Sequence, residues 1–171
     1  MWNGLITVQE INLTNEKGEV LWENKNLKNM LHLQGDQFIL NALFLGGVTN
    51  TYIPSSYYFG LDNRISLAAS NTMSNISSGG EPAIHGYSRN AVASVGAFTV
   101  SLVSGVYQAQ CPILVYSASG GSWGPIRNLF MTNKSDYSGV LISSVALGQI
   151  ITVSSGNSIN LKMGMALKDC P

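Results

Sequence analysis

The sequence predicts a mainly β fold, a β-sandwich of the jelly-roll or immunoglobulin-like kind, with one broken N-terminal helix and an N-terminal β-hairpin arm. Three observations lead there. From Tyr52 onward, short β-favouring runs are separated by Gly, Ser and Asn at the spacing of a sandwich or small barrel. Ahead of them, between Asn26 and Leu45, apolar residues change to three-and-four spacing. Ahead of that again, two apolar runs flank a Gly-containing turn.

Taken in order, Leu5 to Leu13 is rich in β-branched and apolar residues, and Asn15-Glu16-Lys17-Gly18 follows as a turn in which Gly18 can take positive φ. Glu19 to Glu23 returns as a second strand whose Val20 and Trp22 share a face by alternation. The helical stretch carries Leu27, Met30, Leu31, Phe38, Ile39, Ala42 and Leu43, interrupted by Gly35. Asp36 is placed to cap a second short helix, and Gly46-Gly47 to end it. Strands are expected at Tyr57 to Leu61, Tyr87 to Val95, Phe98 to Val103, Ile113 to Tyr116, Ile126 to Met131, Val140 to Ala146, Ile150 to Val153 and Ser158 to Leu167. Nothing repeats at a fixed period. The polar connection from Asn63 to Ile84 is long for a compact domain, so it is the expected partner-contacting loop. With 171 residues the chain suits one domain, divided as a hairpin arm at 1–25 and a sandwich body at 26–171 containing the helix at 27–45.

Charge is scarce. Only 11% of residues are charged and the formal balance is zero, against roughly 25% in an ordinary soluble domain. Glu10, Glu16, Lys17, Glu19, Glu23, Lys25, Lys28 and Asp36 crowd into the first 36 residues, whereas Asn63 to Asn133 holds only Arg64, Glu81, Arg89 and Arg127. Such a surface suits contact with protein. Without a Lys/Arg cluster, nucleic acid is not an expected partner, because phosphates are bound by several cations acting together. Membrane is not expected either: the least polar stretch, Phe38 to Leu45, is far shorter than the roughly 20 residues that span a bilayer. The N-terminus has no basic segment ahead of an apolar one and carries Glu10, so no secretory signal is expected.

Chemistry finds few footholds. His32 and His85 are the only neutral-pH bases. Gly120-Gly121-Ser122-Trp123-Gly124 fits the Gly-x-Ser-x-Gly elbow in form, but Pro125 and a β-like run follow where a helix is needed, and both histidines precede it. It reads as a turn. Asp62 and Glu81 are the nearest thing to a carboxylate pair, with no spacing that joins them. Cys111 and Cys170 are too few for a disulfide scaffold or metal knuckle, and a bridge between them depends on cross-strand geometry. No metal or other cofactor is expected, and the chain is read as no enzyme. Exposed Tyr and Trp, with Tyr107 and Trp123 foremost, could stack on a sugar, although core and interface packing explain aromatics equally well.

Several short motifs occur in order: Tyr58-Phe59-Gly60-Leu61, Gly80-Glu81-Pro82, Gly86-Tyr87-Ser88-Arg89, Trp123-Gly124 with Ile126 to Met131, Gly139-Val140-Leu141-Ile142, and Gly156-Asn157 before Ile159 to Leu167. Their order resembles a family of small virion proteins of tailed bacteriophages, described as tail-fibre or structural proteins. The resemblance covers about Leu27 to Leu167, departs at His85, and leaves Trp2 to Glu23 as an addition. It implies a virion structural protein, assembled in the host cytoplasm, with the major capsid protein or other virion proteins as partners. The expected role is an accessory subunit, a capsid cement or decoration protein, forming a trimer or ring. The alternative is a tail or tail-fibre component, including a module that binds host glycans. Structural or interface roles fall to Trp2 and Trp22 on the hairpin, and to Tyr58, Gly60, Glu81, Gly86, Tyr87, Arg89, Trp123 and Gly124 in the body. Glu81 and Arg89 are expected to form a structural contact.

Overall fold

The computed structural model of the protein describes residues 2–44, 53–77, 79–103 and 105–169, the side chains of 2–7, 43 and 167–169 excepted. It is mainly β, with 51% strand and 11% helix. The elements run β1 (Trp2–Thr14), β2 (Val20–Leu31), α1 (Leu33–Phe44), β3 (Ser56–Asp62), α2 (Met73–Ser77), β4 (Asn90–Ala93), β5 (Thr99–Val103), β6 (Val106–Gln110), β7 (Leu114–Ser117), β8 (Trp123–Thr132), β9 (Leu141–Val153) and β10 (Ser158–Asp169). Among the described residues all pairings are antiparallel and join one ten-stranded sheet in the order β4-β3-β8-β9-β2-β1-β10-β6-β5, with β7 also on β10.

The sheet curls into a half-barrel. Strand β2 joins its two arms, because residues 20–28 lie along β1 while Asn29–Leu31 pair with Val145–Ser143 of β9. Inside the curl, Val8, Ile11 and Leu13 of β1 and Ile159, Leu161 and Met163 of β10 belong to the same buried cluster as Phe59 and Leu61 of β3 and Ile126, Leu129 and Met131 of β8. Excluding water from these side chains is the main favourable term in holding the curl.

The expected hairpin is present, but it is no arm. β1 lies between β2 and β10, with Trp2 opposite Asp169 and Thr14 opposite Ser158, and its inward residues are fully buried. A sheet interior satisfies the backbone groups of β1 on both sides, which a free arm cannot do. Its register against β10 skips between Val8 and Glu10, while its register with β2 runs on through this point, where Asn26 of β2 has φ 55°. The skip changes parity and keeps Val8, Ile11 and Leu13 all inside. A second irregularity at Leu21 separates Val20, which is exposed, from Trp22, which packs on the core. The shared face expected for that pair is therefore lost.

The expected helix at 27–45 begins later. Leu27 to Leu31 continue β2, and His32 carbonyl accepts the first helical hydrogen bond, from Asp36 N–H at 2.9 Å. Gly35 does not break the helix. It lets α1 rest on β9: a Cβ at that position would stand 2.1 Å from the Ile142 carbonyl oxygen. Asp36 sits in the first turn of this single helix, and Gly46-Gly47 lie outside the described residues. Val140 to Ala146 and Ile150 to Val153 form one strand, β9. β6 was not among the expected strands, because Val-Tyr-Gln-Ala-Gln is weakly β-favouring.

Residues 63–84 are not a loose loop. Met73 and Ile76 of α2, with Leu67, bury themselves against Phe130 and Leu141 on the outer face of the sheet. That small second core, absent from the sequence reading, fixes the segment that carries Glu81.

Candidate functional site

Three of the short motifs converge on one buried ion pair. β3 brings Gly60 opposite Phe130 of β8, and because glycine has no side chain, the Phe130 ring and the Glu81 carboxylate occupy the space a Cβ would take, 2.3 and 3.0 Å away. Glu81 and Arg89 have side chains only 5% and 7% exposed and are bound bidentately, Arg89 Nη2 to Oε2 at 2.7 Å and Nε to Oε1 at 2.9 Å. The Tyr87 hydroxyl donates to Glu81 Oε1 at 2.7 Å and accepts from Leu61 N–H at 2.8 Å. Arg89 Nη1 donates to the carbonyls of Asp136, 2.9 Å, and Lys134, 3.2 Å. The guanidinium carbon also lies 4.7 Å from the Tyr137 ring centroid and 5.3 Å from that of Phe130.

The electrostatics follow from this enclosure. Burial works against the Arg89 cation, but hydrogen bonding and charge from Glu81 outweigh it, so its pKa is raised. Burial, helped by the neighbouring carboxylate, pushes the Tyr87 phenol far above its ordinary value and keeps it a donor. Both oxygens of Glu81 are engaged, by Arg89 and by the Tyr87 hydroxyl.

An aromatic tier extends the tie. Tyr87 stacks on Tyr116 at 6.2 Å and meets Trp123 edge-on at 5.7 Å, while the Tyr116 hydroxyl donates to the Phe59 carbonyl at 2.9 Å. Ile84-His85-Gly86-Tyr87 makes the turn leading in: His85 and Gly86 have φ 56° and 82°, and Tyr87 N–H donates to the Ile84 carbonyl at 3.2 Å. Two consecutive left-handed residues closed by that bond make a type I′ turn. A Cβ at Gly86 would lie 2.4 Å from Ser119 Oγ, so the turn is pressed onto the β7–β8 connection.

A second tie is one the sequence reading missed. Asp62, fully buried, accepts from Arg64 Nε at 3.0 Å and from Asn128 Nδ2 at 3.0 Å. Arg64 Nη1 donates to the Asn75 carbonyl, and Asn63 N–H to the Gly80 carbonyl at 2.7 Å. These bonds hold both ends of the 63–80 segment, and Asp62-x-Arg64 was the available signal. His32 is also fully buried: its Nε2 lies 2.9 Å from Ser144 Oγ, and burial lowers its pKa.

The remaining expected residues fall elsewhere. Trp2 opens β1 with its side chain outside the described residues, and Trp22 packs on the core. Tyr58 is half-buried on β3 between Ala91 and Thr132. Trp123 is 4% exposed and cannot stack on a sugar, and Gly124 approaches the Ile151 carbonyl where a Cβ would stand 2.9 Å away. In the elbow-like segment, Ser122 is followed by strand β8, not by a helix, as a turn requires. Cys111 is buried, and Cys170 lies outside the described residues. Among the described residues no group of three His, Cys, Asp and Glu is arranged for a metal ion, and no helix is long and apolar enough to cross a membrane.

One stretch of the chain offers uncharged apolar surface. Residues 90–126 contain no Asp, Glu, Lys or Arg, yet Val95, Val100, Leu102, Tyr107, Ile113 and Val115 within them are exposed. No protein-family model matches the chain, and no curated protein matches its sequence.

Proposed function

We propose that this protein is a structural subunit of a tailed-bacteriophage particle, an accessory subunit of the cement or decoration type that acts by docking on other virion proteins. The observation that carries this reading is the division of its polar groups. Its enclosed ionic residues, Glu81 with Arg89 and Asp62 with Arg64, serve as ties, while residues 90–126 present apolar side chains with no charge among them. Val100, Leu102 and Tyr107 are exposed on the adjoining strands β5 and β6, and exposed apolar neighbours of this kind suit an interaction site. Nothing in this arrangement supports catalysis. The resemblance of the motif order to virion proteins supports the setting, and a tail or tail-fibre position is the alternative location.

The finer fold reading belongs with this. The two arms of the sheet face each other across one core, which supports a sandwich of jelly-roll or immunoglobulin-like type opened at one side. A glycan-binding module remains the second reading through exposed Tyr107. Purified protein added to particles stripped of accessory subunits should co-sediment with them and raise their resistance to heat. Absence of the protein from assembled virions, or turnover of a substrate by the isolated molecule, would overturn the proposal. A glycan array in which binding vanishes with Tyr107→Ala would favour the second reading.

A further inference from the structure

We infer that β5 is a self-docking edge: two copies of the chain join antiparallel, β5 against β5, about a two-fold axis passing beside Ser101. An edge strand presents a row of unpaired backbone N–H and C=O groups, and among the described residues β5 pairs with β6 alone. The opposite edge of the sheet is different, since Asn90 of β4 reaches across to donate to the Val115 carbonyl of β7 at 3.1 Å. Natural edges are guarded by Lys, Pro or bulges. Thr99-Val100-Ser101-Leu102-Val103 has no charge and no proline, and its register with β6 is unbroken.

The occupant follows from the composition of the strand. Read in reverse against itself about Ser101, this segment places Val100 opposite Leu102 of the second copy and Thr99 opposite Val103. The pairs flanking Ser101 join β-favouring residues, and no pair joins like charges. Val100 and Leu102 are exposed, and in β5–β6 they lie opposite Ala109 and the exposed Tyr107, so the pairing would continue one apolar row across both copies. The 37 uncharged residues from 90 to 126 ensure that the two-fold brings no ionic repulsion from this region. A charged partner would instead leave its own charges unanswered here. An isologous contact is also the commonest form of assembly between identical chains. This deepens the reading of the chain as an assembly subunit and rests on it, but it needs no particle.

The test uses the purified full chain. Sedimentation equilibrium up to about 1 mM should reveal a monomer–dimer equilibrium, and Val100→Lys or Leu102→Lys should weaken it by at least about tenfold. Both changes are at exposed positions, and unchanged thermal unfolding would establish that the fold survives them. Residues facing each other in an antiparallel pair have Cα atoms about 4.5–5.5 Å apart, within the span of a disulfide. With Cys170 replaced by Ser and the buried Cys111 left in place, oxidised Ser101→Cys should therefore form a covalent dimer, and exposed Ser88→Cys should not. A Val100→Cys chain mixed with a Leu102→Cys chain should cross-link to each other in preference to themselves. A monomer throughout that range, or a dimer indifferent to both lysines with no link at Ser101→Cys, overturns the proposal. Particle binding that persists in a monomeric Leu102→Lys variant would overturn it as the particle contact while leaving the proposed function standing.

Discussion

Replacing Arg89 by Ala should be among the most damaging single changes outside the apolar core. It removes the partner of a carboxylate that is 5% exposed, releases the Lys134 and Asp136 carbonyls, and opens the space between Phe130 and Tyr137. At so enclosed a site solvent screening is slight, and breaking a buried pair by removing one member costs about 3–5 kcal/mol. A domain of this kind has about 5–15 kcal/mol of stability in total. At about 2–4 °C per kcal/mol for a chain of this size, the melting temperature should fall by about 6–20 °C. Urea unfolding of wild type, Glu81→Ala, Arg89→Ala and the double variant forms a cycle that isolates the pair from the rest. The double variant should lose less than the two single losses added, by about 2 kcal/mol, because it leaves no lone buried charge. Arg89→Lys should fall between wild type and Arg89→Ala, since an ammonium keeps the charge but cannot make the fork. An Arg89→Ala protein within about 0.5 kcal/mol of wild type, or strictly additive losses, would refute the tie.

Three further outcomes are expected. Gly60→Ala should destabilise by about 1–3 kcal/mol in urea unfolding, because the new methyl would meet the buried Phe130 ring and the Glu81 carboxylate and force both to shift. Burial lowers the folded-state pKa of His32 below its unfolded value of about 6.5, so the unfolded chain takes up the proton first. His32 therefore imposes no penalty above that pH and an increasing one as pH falls towards its folded pKa, and His32→Gln should flatten the acid limb of urea midpoints measured from about pH 7.5 to 5. Deleting residues 1–23 should abolish folding, seen as loss of dispersed amide resonances, because Val8, Ile11, Leu13 and Trp22 leave the core and β10 loses its long pairing with β1. A folded, cooperative truncated body would reinstate the arm.

The local signals in the sequence located most strands. Ser56–Asp62, Thr99–Val103, Leu114–Ser117 and Ser158–Asp169 fall close to where alternation and Gly/Ser punctuation placed them. The expected Glu81–Arg89 contact also formed, supported by a loop whose rigidity the sequence reading did not anticipate. The misses share a cause. Gly35 read as a break because glycine disfavours helix, yet here it is the point where α1 meets the Ile142 carbonyl, a fact about another element 107 positions on. Leu27 to Leu31 has helical spacing and still extends as β2, because pairing with β1 and β9 outweighs a weak propensity.

By itself, the sequence determined the mainly β class, the hairpin at the N-terminus with its turn at Gly18, and the scarcity of charge, all of which depend on composition or on neighbours within a few positions. Only the tertiary structure decided that the hairpin lies inside the sheet, that β2 joins two arms into a half-barrel, and that Gly60, Glu81, Tyr87 and Arg89 share one buried site. The reason is physical: strand partners and buried charges are selected by which distant surfaces exclude water together, and that selection leaves no periodicity along the chain.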